Sequence, residues 1–128
     1  MARDIILPDQ SKASYDSFHF APAVRTSKGL IFCSGQIGIG EDGTIPESPE
    51  EEFRNAWGAV GQVLEAAGLT YDNIIEFTTF HVGLQEHLAD FMRAKDEVIS
   101  EPWPAWTAIG ITELAAPGAR VEIRVVAE

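Results

Sequence analysis

The sequence contains a single cysteine, Cys33, so no disulfide can form within one chain. Proteins without disulfides are typical of reducing compartments. No apolar run approaches the ~20 residues that a membrane-spanning helix needs. The first ten residues, MARDIILPDQ, also lack the basic, apolar and small-residue regions of a secretory signal. We therefore expect a cytoplasmic protein with no membrane partner.

Basic residues are scarce too. Nine lysines and arginines stand against 20 acidic residues, which gives a formal net charge of −11. A field of this sign repels a phosphate backbone unless a local basic patch overrides it. No basic cluster goes beyond the alternation at 120–124. The sequence therefore disfavours nucleic acid as a partner.

Motifs for metals and nucleotide cofactors are missing as well. The three histidines, His19, His81 and His87, do not stand at metal-ligand spacing. The glycines of GQIGIGEDG do not form a GxGxxG turn between a strand and a helix. We expect neither a metal nor a cofactor. His81 is expected to be structural, and Cys33 to be a small buried residue and not a reactive thiol.

The 128 residues carry instead the pattern of one α+β domain spanning 1–128. Hydrophobic residues make up 45% of the chain and charged residues 23%, which is the balance of a globular protein. Strands are predicted where short apolar or β-branched runs are bounded by turn residues. These runs lie at 5–7, 23–25, 30–36, 74–82, 105–111 and 119–127.

Two helices are predicted between these strands. Ser48 is a good N-cap for a helix over 49–67, Glu51 completes a capping box, and Gly68 is the expected stop. A second apolar stripe at helical spacing covers about 85–99. Two helices suffice to cover one face of a sheet. The other face is therefore expected to lie in a subunit interface.

The final strand supports this arrangement. Val121, Ile123 and Val125 alternate with Arg120, Glu122 and Arg124. Because side chains alternate across a strand, the apolar set should face the helices and the charged set the uncovered face. A charge that becomes buried in an interface needs a partner or a chemical role.

Five segments together resemble the Rid (YjgF) family of enamine/imine deaminases. In chain order they are LIFCSGQIG, LEAAGLTYDNI, FTTFHVGL, PAWTAIGITEL and VEIRVVA, and the resemblance covers about residues 20–127. It implies a chorismate-mutase-like fold and a homotrimer with a small-molecule ligand in each intersubunit cleft. It also implies hydrolysis of 2-aminoacrylate-type enamines and imines to 2-oxo acids and ammonia.

The family's site residues carry over only in part. Glu122 matches the glutamate that positions the attacking water, and Ser34 and Gly35 match the pocket-lining serine and glycine. Phe20 stands where a pocket tyrosine is common. Trp106 departs most clearly, since it replaces the arginine that clamps the substrate carboxylate. Nearby, Ala108 replaces a frequent cysteine.

The tryptophan changes the ligand that we expect. A guanidinium holds a carboxylate through two parallel charged hydrogen bonds, each worth about 1.5–3 kcal/mol. An indole has one N–H donor and no charge, and it offers a flat apolar wall. We expect a ligand that is less anionic, or larger and flatter, than 2-aminoacrylate. Arg124 or Arg120 could replace the missing clamp from the last strand.

Several roles stay open at the level of sequence. Trp106 either lines the pocket or fills it, and Glu122 either acts in catalysis or pairs with Arg120 or Arg124 across the subunit interface. Ser34 is either a pocket hydroxyl or a serine bound to backbone, and Phe91 is either an apolar wall or, more simply, helix core.

The function has three readings. One is a hydrolytic deaminase of an imine, enamine or related C–N compound with altered specificity. Another is a non-catalytic module of the same fold that binds a small molecule. The third, an endoribonuclease, is disfavoured by the acidity and by the lack of a catalytic His–Lys or metal constellation.

Overall fold

A computed structural model describes residues 2–128 of the chain. It contains six strands, three α-helices and two single-turn 3-10 helices, at Asp9–Ser11 and Tyr71–Asn73. The main elements in chain order are β1 (Asp4–Ile6), α1 (Lys12–Phe18), β2 (Ala23–Arg25), β3 (Ile31–Cys33), α2 (Pro49–Ala66), β4 (Ile74–His81), α3 (Leu84–Asp96), β5 (Ala105–Gly110) and β6 (Val121–Ala127).

All six strands form one mixed sheet in the order β1-β2-β3-β6-β4-β5. Every neighbouring pair is antiparallel except β4 and β5, which are parallel. Parallel strands need a crossover connection, and α3 supplies it. The predicted α+β fold is confirmed, and its sheet is mixed.

The core lies between this sheet and the two long helices. Phe53 and Trp57 of α2 and Phe91 of α3 are buried there. Their rings meet edge-on or tilted, at centroid distances of 5.6 Å for Phe53–Phe91 and 6.1 Å for Trp57–Phe91. The strand residues Val121 and Ile123 are fully buried beneath them. The predicted division of β6 into an apolar and a polar face is confirmed for 121–125, and Phe91 is helix core.

The ends of α2 follow from its flanking residues. Ser48 Oγ accepts a hydrogen bond of 3.3 Å from the backbone N–H of Glu51, which satisfies one free donor of the first turn. Gly68 adopts a φ of +79°, a conformation that favours glycine. The N–H of Leu69 then returns to Leu64 O at 2.8 Å and closes the helix. Both predicted ends hold to within one residue. The predicted capping box is only half formed, because the Glu51 side chain does not accept from the Ser48 N–H in return.

The prediction of only two helices was wrong, because α1 was missed. This helix has no buried residue, so it shows no apolar stripe at helical spacing. It ends at His19, whose φ of 59° is left-handed. Some boundaries also shift: β1 begins at Asp4, β3 stops at Cys33 and α3 stops at Asp96.

The face of the sheet opposite α2 and α3 is open in a single chain. Phe32 is 42% exposed there and Ile109 39%. Arg124 is exposed on the same face, where it lies opposite Thr78 of β4. An open sheet face that carries large apolar side chains is a surface suited to contact with another protein chain.

Candidate functional site

A cavity of about 650 Å³ lies beside the open face, near the start of β6. The segment after β3 forms one wall, α1 and the residues after it form another, and the loop before β6 forms the third. Its lining residues are Ser11, Ser14, Phe18, Phe20, Pro22, Gly35, Gln36, Ile37, Ile39, Ala115, Ala116, Pro117 and Glu122. Three predicted site residues, Phe20, Gly35 and Glu122, are therefore brought together.

Glu122 and Gly35 are in direct contact in this cavity. A side-chain carbon added at Gly35 would overlap the carboxyl group of Glu122 and stand 2.6 Å from its Oε2. Only glycine leaves room for the carboxylate at this point. The close fit gives a physical reason for a glycine beside an acidic residue that could act on a ligand.

Backbone hydrogen bonds hold this wall of the cavity in place. Gln36 N donates to Ile123 O at 2.8 Å, and Ile123 N donates to Gln36 O at 2.9 Å. This reciprocal pair extends the sheet by one bridge beyond the end of β3. Gly35 and Glu122 each lie next to a member of the pair, so their relative position is fixed by the backbone.

The hydroxyl of Ser34 does not line the cavity. It donates a hydrogen bond of 2.6 Å to the carbonyl of Ala21. The Ser34 N–H donates to Pro22 O at 2.8 Å, so the residue ties two chain segments together. Of the two roles that the sequence leaves open, the structure favours the serine bound to backbone.

A buried ion pair anchors the loop that precedes α2. Glu52 is fully buried, and its Oε1 accepts from Arg120 Nη1 at 2.7 Å while its Oε2 accepts from the Arg120 N–H at 2.6 Å. The guanidinium also donates to the carbonyls of Pro46 and Glu47, at 3.1 and 2.9 Å. We call this group the Glu52–Arg120 latch.

The latch corrects the placement of Arg120. The sequence put Arg120 with Glu122 and Arg124 on the uncovered face, but β6 begins only at Val121. Because Arg120 precedes the strand, its side chain does not follow the alternation. It points towards α2 and forms hydrogen bonds within its own chain. Arg120 therefore has no free guanidinium to clamp a ligand carboxylate, and it does not pair with Glu122.

Trp106 lies on the helix-covered side of the sheet. Its ring stacks on Phe77 at a centroid distance of 5.5 Å and an interplanar angle of 11°, and its Nε1 donates to Thr79 Oγ1 at 2.9 Å. In register, Ala108 neighbours the buried Thr79, so it shares this side. Within one chain, Trp106 packs against the core and does not line the cavity.

A lysine lies against the same tryptophan. Lys95 Nζ stands 5.2 Å from the Trp106 ring centre and 5.5 Å from that of Trp103, the range of a cation–π contact. The lysine is buried and donates to Asp96 Oδ1 at 2.7 Å. Its charge is therefore balanced by a carboxylate and two aromatic faces.

The two titratable groups that the sequence predicts to be structural are indeed buried in the core. Burial lowers the pKa of His81 to about 4, and its Nε2 lies 2.7 Å from Thr79 Oγ1. Burial also raises the pKa of the Cys33 thiol to about 11. At neutral pH the imidazole is uncharged and the thiol protonated, so neither suits acid–base or nucleophilic work.

Sequence reasoning missed much of the cavity wall. Ser14 and Phe18 belong to α1 and Ser11 to the 3-10 turn before it, neither of which was predicted, and residues 115–117 lie in a loop. The one usable signal was the pair of isoleucines after the SGQ segment. Ile37 and Ile39 are apolar residues in a glycine-rich loop, where they have no core to fill.

Among residues 2–128, no three His, Cys, Asp or Glu side chains come together as a metal ion requires. No helix in that range has both the length and the apolar character to cross a membrane.

The sheet, the helices and the cavity define an α+β protein with a small-molecule-sized pocket beside its last strand. Residues 11–128 match the profile of the family described as Endoribonuclease L-PSP. The chain therefore belongs to this family, which is the Rid (YjgF) family that the sequence motifs resemble.

Individual relatives agree with this assignment. The chain is 38% identical over 126 residues to the RutC family protein YjgH of Escherichia coli strain K12, covering 98% of this chain and 94% of that protein. A solved structure of protein YjgH has a TM-score of 0.89 at 36% identity and covers 99% and 96% of the two chains. The 2-iminobutanoate/2-iminopropanoate deaminase of Bos taurus is 29% identical over 132 residues, covering 99% and 90%.

Proposed function

We propose that this protein hydrolyses an imine, an enamine or a related C–N compound and releases ammonia. The observation that carries the proposal is the Glu122 carboxylate, which lies against Gly35 in a largely apolar cavity. A carboxylate in such a place can orient a water molecule and take its proton during attack on a C=N carbon. The bovine relative is named as a deaminase of 2-imino acids, which agrees with this chemistry.

The cavity is proposed to be completed by neighbouring copies in a cytoplasmic homotrimer. Within one chain, position 106 faces the helices and Glu122 faces away from them, so a single ligand cannot touch both in the same copy. Association through the open face would bury Phe32 and Ile109. Because β5 is an edge strand, a copy that also packs along this edge would bring its own Glu122 towards Trp106 or Ala108. Arg124 lies on the open face itself.

The test is release of ammonia from imines generated by an amino-acid oxidase or an amine oxidase. We expect the native protein to accelerate release above the spontaneous rate, and Glu122→Gln to lower that acceleration by about 10²-fold or more. The matched control is Glu76→Gln, the same change at an exposed carboxylate of β4 outside the cavity. Glu76→Gln should keep native activity; equal rates for native protein and Glu122→Gln would contradict the proposal.

A second candidate function is binding of a small molecule without turnover. The replacement of the family's carboxylate clamp by Trp106 favours it, because the scaffold can persist after the chemistry is lost. Under this alternative Glu122→Gln would change ligand affinity, and no imine would be hydrolysed faster than in buffer. The endoribonuclease activity of the family's description has less support, since the cavity lining contains no His, Lys or Arg.

A further inference from the structure

The charge inventory of the cavity indicates which ligand it accepts. Of its thirteen lining residues, Glu122 alone carries a charge at neutral pH. The polar remainder consists of two serines and Gln36, and the rest is apolar or glycine. A bound carboxylate would therefore face another carboxylate, which is unfavourable when no cation lies between them.

Four basic residues on or near the elements of the site do not supply that cation. Lys12, at the start of α1, is exposed and is not part of the cavity lining. The guanidinium of Arg120 is held by Glu52 and by two backbone carbonyls, and the ammonium of Lys95 is buried against Asp96. Arg124 is exposed on the open face and lies outside the cavity. The whole chain adds a net charge of −11, which favours the approach of cations.

We infer that the substrate is a carboxylate-free iminium ion with an apolar body, such as the imine of a primary amine. This inference rests on the proposed hydrolysis. Phe18, Phe20, Ile37 and Ile39 supply apolar walls for the body. One oxygen of Glu122 can accept from the iminium N–H, and the other can hold the attacking water. The enzyme would thus act after an amine-oxidising reaction and not after an amino-acid-oxidising one.

The reaction balances without a further reactant. Water adds its oxygen to the iminium carbon, the C=N π electrons move to nitrogen, and Glu122 carries one water proton to that nitrogen. The C–N bond of the resulting carbinolammonium then breaks while the hydroxyl proton leaves through Glu122. The sum is RCH=NH₂⁺ + H₂O → RCHO + NH₄⁺, with no oxidation or reduction.

Ligand preference can be measured by calorimetry with three probes that share one aromatic body. These are 2-phenylethylammonium, zwitterionic phenylalanine and 3-phenylpropanoate. We expect the ammonium to bind at least tenfold more tightly than the anion, since a factor of about ten corresponds to one charge-assisted hydrogen bond. Equal or tighter binding of the anion would overturn the inference, as would binding of none of the three.

Substitutions decide whether the charge in the cavity causes this preference for the ammonium ion. Glu122→Gln should bring the ammonium-to-anion ratio close to one. Ser14→Lys places a cation on the wall and should reverse the preference, while Ser17→Lys makes the same change on α1 outside the lining and should not. An anion preference in the native protein that disappears in Arg124→Gln would overturn the inference and make Arg124 the clamp.

Turnover assays distinguish a failure of this inference from a failure of the proposed function. Imines are generated from 2-phenylethylamine by a flavin amine oxidase and from phenylalanine by an amino-acid oxidase. Faster hydrolysis of the amine-derived imine that depends on Glu122 supports both ideas. Hydrolysis of the phenylalanine-derived imine alone keeps the function and refutes the inference. Selective ammonium binding without turnover of either imine refutes the hydrolysis and keeps the ligand class.

Discussion

The two faces of the sheet differ in how their space is filled. On the helix-covered face, Trp106 stacks on Phe77, donates to Thr79 and lies against Lys95. On the other side, Glu122 lines an open cavity, and the backbone bridge between Gln36 and Ile123 holds its wall in place. In one chain, position 106 is therefore filled by packing within the covered face, whereas the Glu122 carboxylate borders open space.

Breaking the Glu52–Arg120 latch should change the free energy of unfolding more than any other substitution considered. Arg120→Met leaves Glu52 buried without a partner, and breaking a buried ion pair in this way costs about 3–5 kcal/mol. The free energy of unfolding in urea should fall by that amount. The double variant Glu52→Gln/Arg120→Met should recover part of the loss, whereas Arg54→Met, at an exposed ion pair with Glu97, should have little effect. A native-like stability for Arg120→Met would contradict the latch.

The pH dependence of stability tests the burial of His81 in the packed face. Burial lowers its pKa to about 4 from the ordinary value of 6.5, so the folded state prefers the neutral ring. The stabilisation of the folded state by the buried neutral ring is complete above pH 6.5, and it is lost as the pH falls from about 6.5 towards 4. Over that window the unfolding free energy should drop by about 3 kcal/mol through this residue. Urea titrations of native protein and His81→Gln should converge as the pH falls; parallel curves would refute the assignment.

Trp106 should matter for stability more than for the cavity. Trp106→Ala removes a half-buried ring from Phe77 and Phe91, and we expect a loss of about 2 kcal/mol, less than for a fully buried tryptophan. Trp103→Ala makes the same change on a ring that is 59% exposed, so its effect should be smaller. Thermal unfolding measures both. If the Trp103 variant is the less stable of the two, the stacking argument fails.

Gly35 gives the smallest expected change in stability and a clear change in function. Gly35→Ala forces the Glu122 side chain to move, and because that side chain borders open space we expect a cost of only about 1 kcal/mol. Ligand binding and ammonia release should fall by about tenfold or more. Gly58→Ala, in the middle of α2 with open space at its Cβ position, is the control. Full activity of Gly35→Ala would show that the contact has no role.

Sequence patterns predicted the elements that fill the core. The stripe of α2, the alternation of β6 and the caps at Ser48 and Gly68 are local consequences of burial and backbone geometry, and each was found as expected. The motifs also pointed to Glu122 and Gly35. Helix α1 was missed for the same reason that the others were found, since without a buried residue it produces no periodic signal.

The sequence predicted only those site residues whose positions follow from the alternation of side chains along a strand. Glu122 was assigned to its face by strand alternation, but Arg120 lies outside that pattern because the strand begins at Val121, two residues later than predicted. Its partner, Glu52, is far away in sequence, and no local pattern links two such residues. The wall at 115–117 likewise depends on where a loop packs, which is a tertiary property.

The absence of buried residues in α1 has a consequence for the history of this protein. A helix that forms a ligand wall but contributes nothing to the core can change its sequence without loss of folding. Substitutions at Ser14 or Phe18 would then alter the shape of the cavity while Glu122 stays in place. Such a segment lets a lineage acquire new substrates in single mutational steps.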